Sequence, residues 1–354
     1  MSDLRARTAR AALAGLAVGC ALGTFASEVT TGFAVAVTLV VGRWGRGGVV
    51  GGGATWAWAL VWVLMVPVSG NLREGLGHVW PVAPLFVVPT LLKAARSGEG
   101  RTGAGSTALA TAVRAGLIAA ALLGAEASVE GCFREAQGPF SHHLTLAYVL
   151  LPPLGVALQR RSALAFPIAL GVLGSRASGA LFALPVTVLL GVWAARDATL
   201  GRVSSPRRSG LAALLGMLLT AFALPLGDAK ELGERAVLWT GGLELGLGAA
   251  GPAGPGGYPA ASAPLYNQLQ SGFWFPNHAH DSATQALAVL GPAGWLVGLA
   301  FVAALFDAFG GGAAAGLAGV CIGSLTQDNF GDLEVIRSVV IWGAIAGARQ
   351  TFTS

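Results

Sequence analysis

Residues 286–306 read Ala-Leu-Ala-Val-Leu-Gly-Pro-Ala-Gly-Trp-Leu-Val-Gly-Leu-Ala-Phe-Val-Ala-Ala-Leu-Phe, a run without a single charged side chain. A helix needs about 20 such residues to cross a bilayer. The rest of the chain has the same character, with 54% of its 354 residues apolar, 11% charged and a mean hydropathy of +0.67. Soluble domains carry about 25% charged residues, so the sequence predicts an all-α integral membrane protein.

Apolar runs recur along the whole chain and predict a polytopic protein with about twelve transmembrane helices. Several of these runs are short for an untilted span. They lie near residues 9–26, 28–42, 49–68, 77–92, 107–127, 143–158, 162–174, 177–195, 209–226, 286–306, 310–325 and 335–349. We therefore expect a single integral membrane domain that occupies residues 1–354.

The basic residues predict the orientation of these helices. Cytoplasmic loops of membrane proteins are rich in Lys and Arg. With a cytoplasmic N-terminus, alternate loops hold most of the 22 basic residues. The opposite loops hold only Arg73, Arg134, Arg176, Lys230, Arg235 and Arg337. The sequence thus predicts cytoplasmic N- and C-termini and an outer face with few cations.

Two classes of protein are disfavoured by the distribution of charge and cysteine. The net charge of +5 does not predict a nucleic-acid partner, because no Lys/Arg-rich tract with interleaved aromatic residues occurs. Cys20, Cys132 and Cys321 are scattered, so neither a disulfide framework nor a metal-type cysteine spacing follows from them.

The stretch Asn277-His278-Ala279-His280-Asp281 stands where a long polar segment returns to the apolar run at 286–306. Ionisable groups gathered at a membrane edge are costly and usually functional. One alternative is that the histidines only form hydrogen bonds at the interface. Another alternative is that His278 and His280 supply two of the four ligands of a zinc site, although no third and fourth ligand lies nearby in the sequence.

Residues 227–285 form the one long outer loop, between predicted helices 9 and 10. Connections beyond about 12–15 residues are usually functional or disordered. We expect a partly ordered loop on the membrane surface, with Gly251–Gly257 as a flexible tether. Its aromatic side chains suit an interface: Trp239, Tyr258, Tyr266, Phe273, Trp274 and Phe275. The later turn Asp328-Asn329-Phe330-Gly331-Asp332 is predicted to connect two helices; the alternative is that it contacts sugar hydroxyls, because it faces the same side.

Four short segments on the predicted outer side carry further candidate residues. They are Arg134 to Leu146; Ser175-Arg176 followed by small residues; Arg235 with Trp239 four residues on, leading into Gly246-Leu247-Gly248; and His280 followed after a polar residue and nine more by Gly291-Pro292-Ala293-Gly294. Together they resemble the O-antigen ligase and polysaccharide polymerase family of bacterial inner-membrane glycosyltransferases, over roughly residues 130–345. The fourth segment is the most specific. Asp281 departs from the Asn, Ser or Gln usual after the histidine, which either raises the basicity of His280 or marks a divergent branch.

The resemblance implies transfer of a glycan from an undecaprenyl-pyrophosphate carrier to a sugar hydroxyl at the periplasmic face. A weak nucleophile of this kind needs a base whose pKa is near neutral, which fits His280. His278 or Asp281 would orient its ring. Guanidinium groups bind phosphate oxygens through two parallel hydrogen bonds, which fits Arg176 and Arg235.

Arg134 is a third candidate ligand of the pyrophosphate, and Trp239 and Arg337 are supporting candidates. The alternatives are an interfacial anchor for Arg176 and a solvated loop charge for Arg235. No Asp-x-Asp pair occurs on the outer side. We therefore expect anomer-inverting transfer that needs neither a metal nor a cofactor.

Three functions stay open at the level of sequence. A ligase passes the glycan to lipid A–core, and a polymerase passes it to another carrier-linked glycan. A secondary transporter is also built from about twelve helices, but such proteins tend to have internal repeats and charged groups near the midplane of the bilayer. The polar residues here cluster at the outer edge instead, which favours the ligase with the polymerase as its alternative.

Overall fold

The computed structural model describes residues 2–40, 49–97, 105–140, 142–202, 205–223, 229–269 and 278–347, and this part of the chain contains helices but no strand. The helices are α1 (Ser2–Gly19), α2 (Thr24–Val40), α3 (Gly52–Leu64), α4 (Val66–Ser69), α5 (Leu72–Val79), α6 (Ala83–Ser97), α7 (Gly105–Gly131), α8 (His143–Gln159), α9 (Ala165–Gly174), α10 (Ser178–Thr199), α11 (Pro206–Ala223), α12 (Ala229–Leu247), α13 (Tyr258–Leu269), α14 (Ser282–Ala308), α15 (Gly311–Gly323) and α16 (Leu333–Gly347). Two 3₁₀ turns, Cys20–Leu22 and Trp80–Val82, precede α2 and α6.

The described residues of each predicted apolar run are mainly helical, so the all-helical class is confirmed for the described part of the chain. Within the described ranges, five stretches are long and apolar enough to cross a membrane: Gly52–Ser69, Leu72–Ala95, Leu109–Gly131, Ser178–Thr199 and Ser282–Ala308. Shorter apolar helices are Ala26–Val40, His143–Gln159, Ala165–Gly174 and Gly311–Gly323. The count of twelve spans and their orientation stay predictions.

Helices α8 and α15 form the centre of the bundle and run antiparallel. Their backbones touch at glycines: a Cβ atom on Gly155 would lie 2.2 Å from the carbonyl oxygen of Gly312, and one on Gly316 would lie 2.4 Å from Cα of Pro152. Small residues permit this close approach in membrane helices. The packing places the first turn of α8 next to the segment that follows α15.

The described part of residues 227–285 differs from the predicted loop, because 229–269 form the helical hairpin α12–α13. Two glycines of α12 permit its close packing on α14: a Cβ atom on Gly242 would lie 2.4 Å from Cγ2 of Thr284, and one on Gly246 would lie 2.7 Å from the carbonyl oxygen of Leu287. Helix α12 therefore lies along the first half of α14 and runs in the same direction. Phe273, Trp274 and Phe275 lie outside the described residues.

The tip of this hairpin is bonded to a break in α14 and is not a free tether. Gly291 adopts φ 71° and ψ −178°, and Pro292 has no N–H to donate. The carbonyls left without helical partners accept hydrogen bonds from the tip, from Ala253 N–H to Ala288 O (2.8 Å) and from Gly254 N–H to Val289 O (3.0 Å). The break thus fixes where the hairpin docks.

Candidate functional site

The segment Ser324–Asp332, here called the 324–332 loop, joins the elements that carry the predicted site residues. Thr145 in the first turn of α8 donates a hydrogen bond from Oγ1 to Asp332 Oδ2 (2.6 Å). Ser282 at the start of α14 donates its N–H to Ser324 O (3.0 Å) and accepts one from Phe330 N–H at Oγ (3.0 Å). The loop therefore holds the first turns of α8 and α14 together.

Four helices begin at this end of the bundle. Besides α8 and α14, α10 starts beside the loop, since a Cβ atom on Gly179 would lie 2.1 Å from Oγ1 of Thr326. Helix α16 follows the loop directly, and Asp332 Oδ1 accepts from the N–H groups of Glu334 (3.1 Å) and Val335 (3.3 Å). Helix N-termini carry partial positive charge and favour anions. The local fold therefore suits a negatively charged ligand.

His280 lies in the short turn that leads into α14. It adopts a left-handed φ of 59°, which is uncommon for a residue other than glycine. Asp281 caps the helix, since its Oδ1 accepts from Thr284 N–H (2.8 Å). Ala279 N–H donates to Gln285 Oε1 (2.8 Å). Bonds on both sides of His280 thus fix the strained turn.

The two neighbours proposed to orient His280 have different roles. The His278 ring lies 4.4 Å from the His280 ring between centroids, and its Nδ1 accepts from His280 N–H (3.2 Å). The carboxylate of Asp281 caps α14 through Oδ1, while its buried Oδ2 has no hydrogen-bond partner among the described residues. Of the two, His278 is the residue in ring contact with His280.

A third imidazole reaches the site from α8. His142 is the N-cap of that helix, and its Nδ1 accepts from Leu144 N–H (3.2 Å). Its ring stacks on that of His143 with centroids 4.3 Å apart, and His143 Nδ1 lies 3.3 Å from Glu135 Oε2. His142 acts electrostatically on both His278 and His280.

The surroundings keep these imidazoles neutral near pH 7. Burial, then the charge of Arg235, then that of His142 lower the pKa of His280 below its ordinary 6.5. Burial, followed by His280 and His142, lowers the pKa of His278 to about 4. Burial also lowers the pKa of His142. A neutral imidazole can accept a proton, so His280 is in the correct state for a general base.

Two carboxyl groups beside the turn have raised pKa values, whereas the pKa values of the imidazoles are lowered. Burial raises the pKa of Asp281, and it raises the pKa of Asp328 to about 7, with a smaller contribution from Asp281. Asp328 Oδ1 accepts from Gly331 N–H (3.0 Å) and shapes the 324–332 loop. These two acids therefore add less negative charge to the site than two exposed carboxylates would.

Arg235 is the predicted arginine whose charge acts on His280. It lies on α12, and its Nη1 donates to the carbonyl oxygen of Thr326 in the 324–332 loop. Trp239, one turn further along α12, is half-buried, and its Nε1 has no hydrogen-bond partner in the described part of the chain. The hairpin thus delivers both residues to the side of the loop where α14 begins.

Arg176 and Arg134 are held by other contacts. Arg176 is exposed, has φ 55°, and donates from Nη2 to the carbonyl oxygen of Gly131 (2.8 Å) at the end of α7. Arg134 is 78% exposed and pairs with Glu130 at 2.8 Å. Neither contributes to the lowered pKa of His280, so the structure joins Arg235 to His280 and does not join these two.

Arg337 lies inside the bundle, not in the cluster around His280. Its side chain is 1% exposed, and its Nη2 lies 3.1 Å from Glu28 Oε1, while Nη1 donates to Ser27 Oγ. These contacts tie α16 to α2. The support that it gives to the site is therefore through the position of α16.

An apolar groove starts beside the site. It encloses about 540 Å³ between α11, α14 and α15. The end next to the 324–332 loop is lined by Ser282, Ser324 and Phe330. The other end is lined by Arg207 at the start of α11 and Asp307 at the end of α14. Its walls are mainly hydrocarbon, so it fits a long aliphatic chain.

Sequence reasoning missed His142 as a site residue and predicted residues 328–332 as a connection between helices or a contact for sugar hydroxyls, not as the segment that joins α8 to α14. The available signal was the pair His142-His143 just before an apolar run, because the chain has only five histidines. No cluster of three or more His, Cys, Asp or Glu side chains suited to a metal ion occurs among the described residues. No family model matches the chain, and no curated protein matches it.

Proposed function

We propose that the protein is a glycosyltransferase of the bacterial inner membrane that moves a glycan from an undecaprenyl-pyrophosphate carrier to a sugar hydroxyl at the periplasmic face. One observation carries the proposal: the neutral imidazole of His280 lies within the electrostatic reach of Arg235, where four helices begin. A base beside an anion-binding surface is what this reaction needs.

In the proposed reaction His280 accepts the proton of the acceptor hydroxyl. The hydroxyl oxygen then bonds to the anomeric carbon as the bond from that carbon to the diphosphate oxygen breaks. Arg235 and the helix N-termini balance the charge on the departing diphosphate, and Arg176 and Arg134 are proposed as further ligands. Direct displacement inverts the anomeric configuration, and the mechanism uses neither a metal nor a cofactor.

The apolar groove supports a lipid-linked donor. Burial of hydrocarbon is favourable by roughly 25 cal/mol per Å², and Ser282, two residues from His280, lines the groove. A polyprenyl chain in the groove would place its diphosphate beside the first turn of α14. A nucleic-acid partner is not part of the proposal, and membrane lipids surround the bundle.

The test is a reconstitution of purified protein with an undecaprenyl-pyrophosphate-linked glycan and an acceptor. We expect a glycan product and release of undecaprenyl pyrophosphate, with the rate unchanged by a chelator. If neither lipid A–core nor a second carrier-linked glycan accepts the sugar, the proposal is overturned. Transfer to lipid A–core identifies the ligase, which we favour, and transfer to the carrier-linked glycan identifies the polymerase.

One observation favours a secondary transporter as the second candidate. Helix α14 is interrupted at Gly291, and transporters commonly place binding sites at interrupted helices. Here the freed carbonyls of Ala288 and Val289 are satisfied by Ala253 and Gly254, which leaves them unavailable to an ion. Solute counterflow into proteoliposomes, without any glycan product, would support the transporter.

A further inference from the structure

We propose that His142 and His278 are fixed hydrogen-bond donors to oxygens of the donor's diphosphate, which leaves His280 as the single proton acceptor of the cluster. This inference rests on the proposed function, and it assigns different chemistry to three imidazoles that the sequence does not distinguish.

Backbone hydrogen bonds set the tautomers of the two outer rings. A neutral imidazole has one N–H and one nitrogen with a free lone pair. In His142 the lone pair of Nδ1 accepts from Leu144 N–H (3.2 Å), and in His278 it accepts from His280 N–H (3.2 Å). The hydrogen of each neutral ring must therefore be on Nε2. Each ring offers one donor and has no lone pair left for a substrate proton.

The His280 ring is free of such a constraint. Its backbone N–H is bonded to His278, but neither of its ring nitrogens has a hydrogen-bond partner in the part of the chain that the structure describes. Like His278, it is half-buried, so part of the residue is exposed. A substrate hydroxyl can therefore reach a lone pair on His280, whereas protonation of either neighbour breaks a backbone hydrogen bond.

The charges around the cluster favour an anionic partner for the two N–H donors. Arg235 on α12 is the nearby cation, and the N-termini of four helices face the same end. Other titratable groups lie around the cluster. They are Glu135, His143 and Tyr148 before or on α8, Glu334 at the start of α16, Asp281 before α14, and Asp328 and Asp332 in the 324–332 loop. Burial raises the pKa of the last three, so they oppose an anion less than exposed carboxylates would.

Nitrogen NMR of the ¹⁵N-histidine-labelled full-length protein tests the tautomers without any variant that risks misfolding. The five histidines give a small set of signals. We expect His142 and His278 to stay neutral with hydrogen on Nε2 as the pH falls from 7.5 to 5.5, while His280 titrates before them. Hydrogen on Nδ1 of His142, or titration of His142 before His280, would overturn the proposal.

Binding of undecaprenyl pyrophosphate, with no acceptor present, tests the assigned ligand. His142→Asn keeps a capping side chain at the start of α8 but removes the Nε2 donor. We expect its dissociation constant to rise about tenfold or more, as for a lost hydrogen bond to a charged group. The matched control is His143→Asn, which removes the adjacent ring and should bind as the wild type does.

The outcomes separate this inference from the proposed function. Unchanged diphosphate binding by His142→Asn together with a higher KM for the acceptor would overturn the diphosphate assignment in favour of a hydroxyl contact. Normal binding and normal kinetics would overturn any donor role. If the wild type binds the lipid in a His142-dependent manner but transfers no glycan, the proposed function fails while the donor assignment stands.

Discussion

Replacement of Gly246 by alanine should disturb the site through the packing of α12 against α14. The new Cβ atom would lie 2.6 Å from Cγ of Leu287 and 2.7 Å from its backbone oxygen, and ordinary contact begins at 3.4 Å. Helix α12 must therefore retreat by roughly 0.7 Å, because the backbone of α14 cannot rotate away. Overpacking of this kind costs about 1–3 kcal/mol.

The matched control is Gly233→Ala in the same helix, where nothing lies within 4 Å of the new methyl group. Both variants gain up to about 1 kcal/mol of helix propensity. The difference between their free energies of unfolding therefore gives the cost of the clash, about 1–3 kcal/mol. Thermal unfolding in detergent should therefore give Gly246→Ala the lower Tm by several degrees.

The same pair of variants tests whether the position of α12 matters for activity. Arg235 lies on α12 about 16 Å from Gly246, at 1.5 Å per residue. Displacement of a catalytic group by about 1 Å can reduce a rate by as much as 10²-fold, so we expect Gly246→Ala to lose at least about tenfold of its transfer rate. Equal Tm values and equal rates for the two variants would refute the docked hairpin.

Three further predictions concern substitutions of charged side chains. Arg235→Gln removes a cation that lowers the pKa of His280, so that pKa should rise. The acid limb of the pH–rate profile should therefore move to higher pH. Arg176→Gln is the control and should leave the acid limb in place. Arg176→Lys and Arg235→Lys should each lose most transfer activity if two-point phosphate contact matters, and full activity of both would reduce these arginines to interfacial charges. Glu28→Ala removes the half-exposed carboxylate partner of the buried Arg337 and should cost about 1–3 kcal/mol of unfolding free energy. Arg337→Met leaves only the half-exposed Glu28 without a partner and should lower the melting temperature less.

Local pattern was sufficient to predict the apolar helices, whereas α12 and α13 were predicted as a loop. The apolar runs are long enough to specify helices without knowledge of their neighbours, and Asp281 is an N-cap residue type just before such a run. The left-handed φ of His280 could not be predicted, because histidine adopts a positive φ more often than most residues but still only in a small minority of cases.

Contacts between distant segments were not predictable from one sequence. His142 and His280 meet because Thr145 and Ser282 both bond the 324–332 loop, and nothing near either histidine in the chain encodes that. The helices α12 and α13 were missed for a related reason. A glycine that breaks an isolated helix also permits close approach to another helix, and only the position of α14 decides between the two.

The proposed base is tested most directly by the transfer rate of His280→Asn in the reconstituted system. Asparagine tolerates the left-handed backbone at this position, so folding should be preserved while the proton acceptor is lost. A positioned base contributes roughly 10²–10⁴-fold, and we expect the rate to fall by about that factor with an unchanged melting temperature. A transfer rate close to that of the wild type would contradict the assignment of His280 as the base.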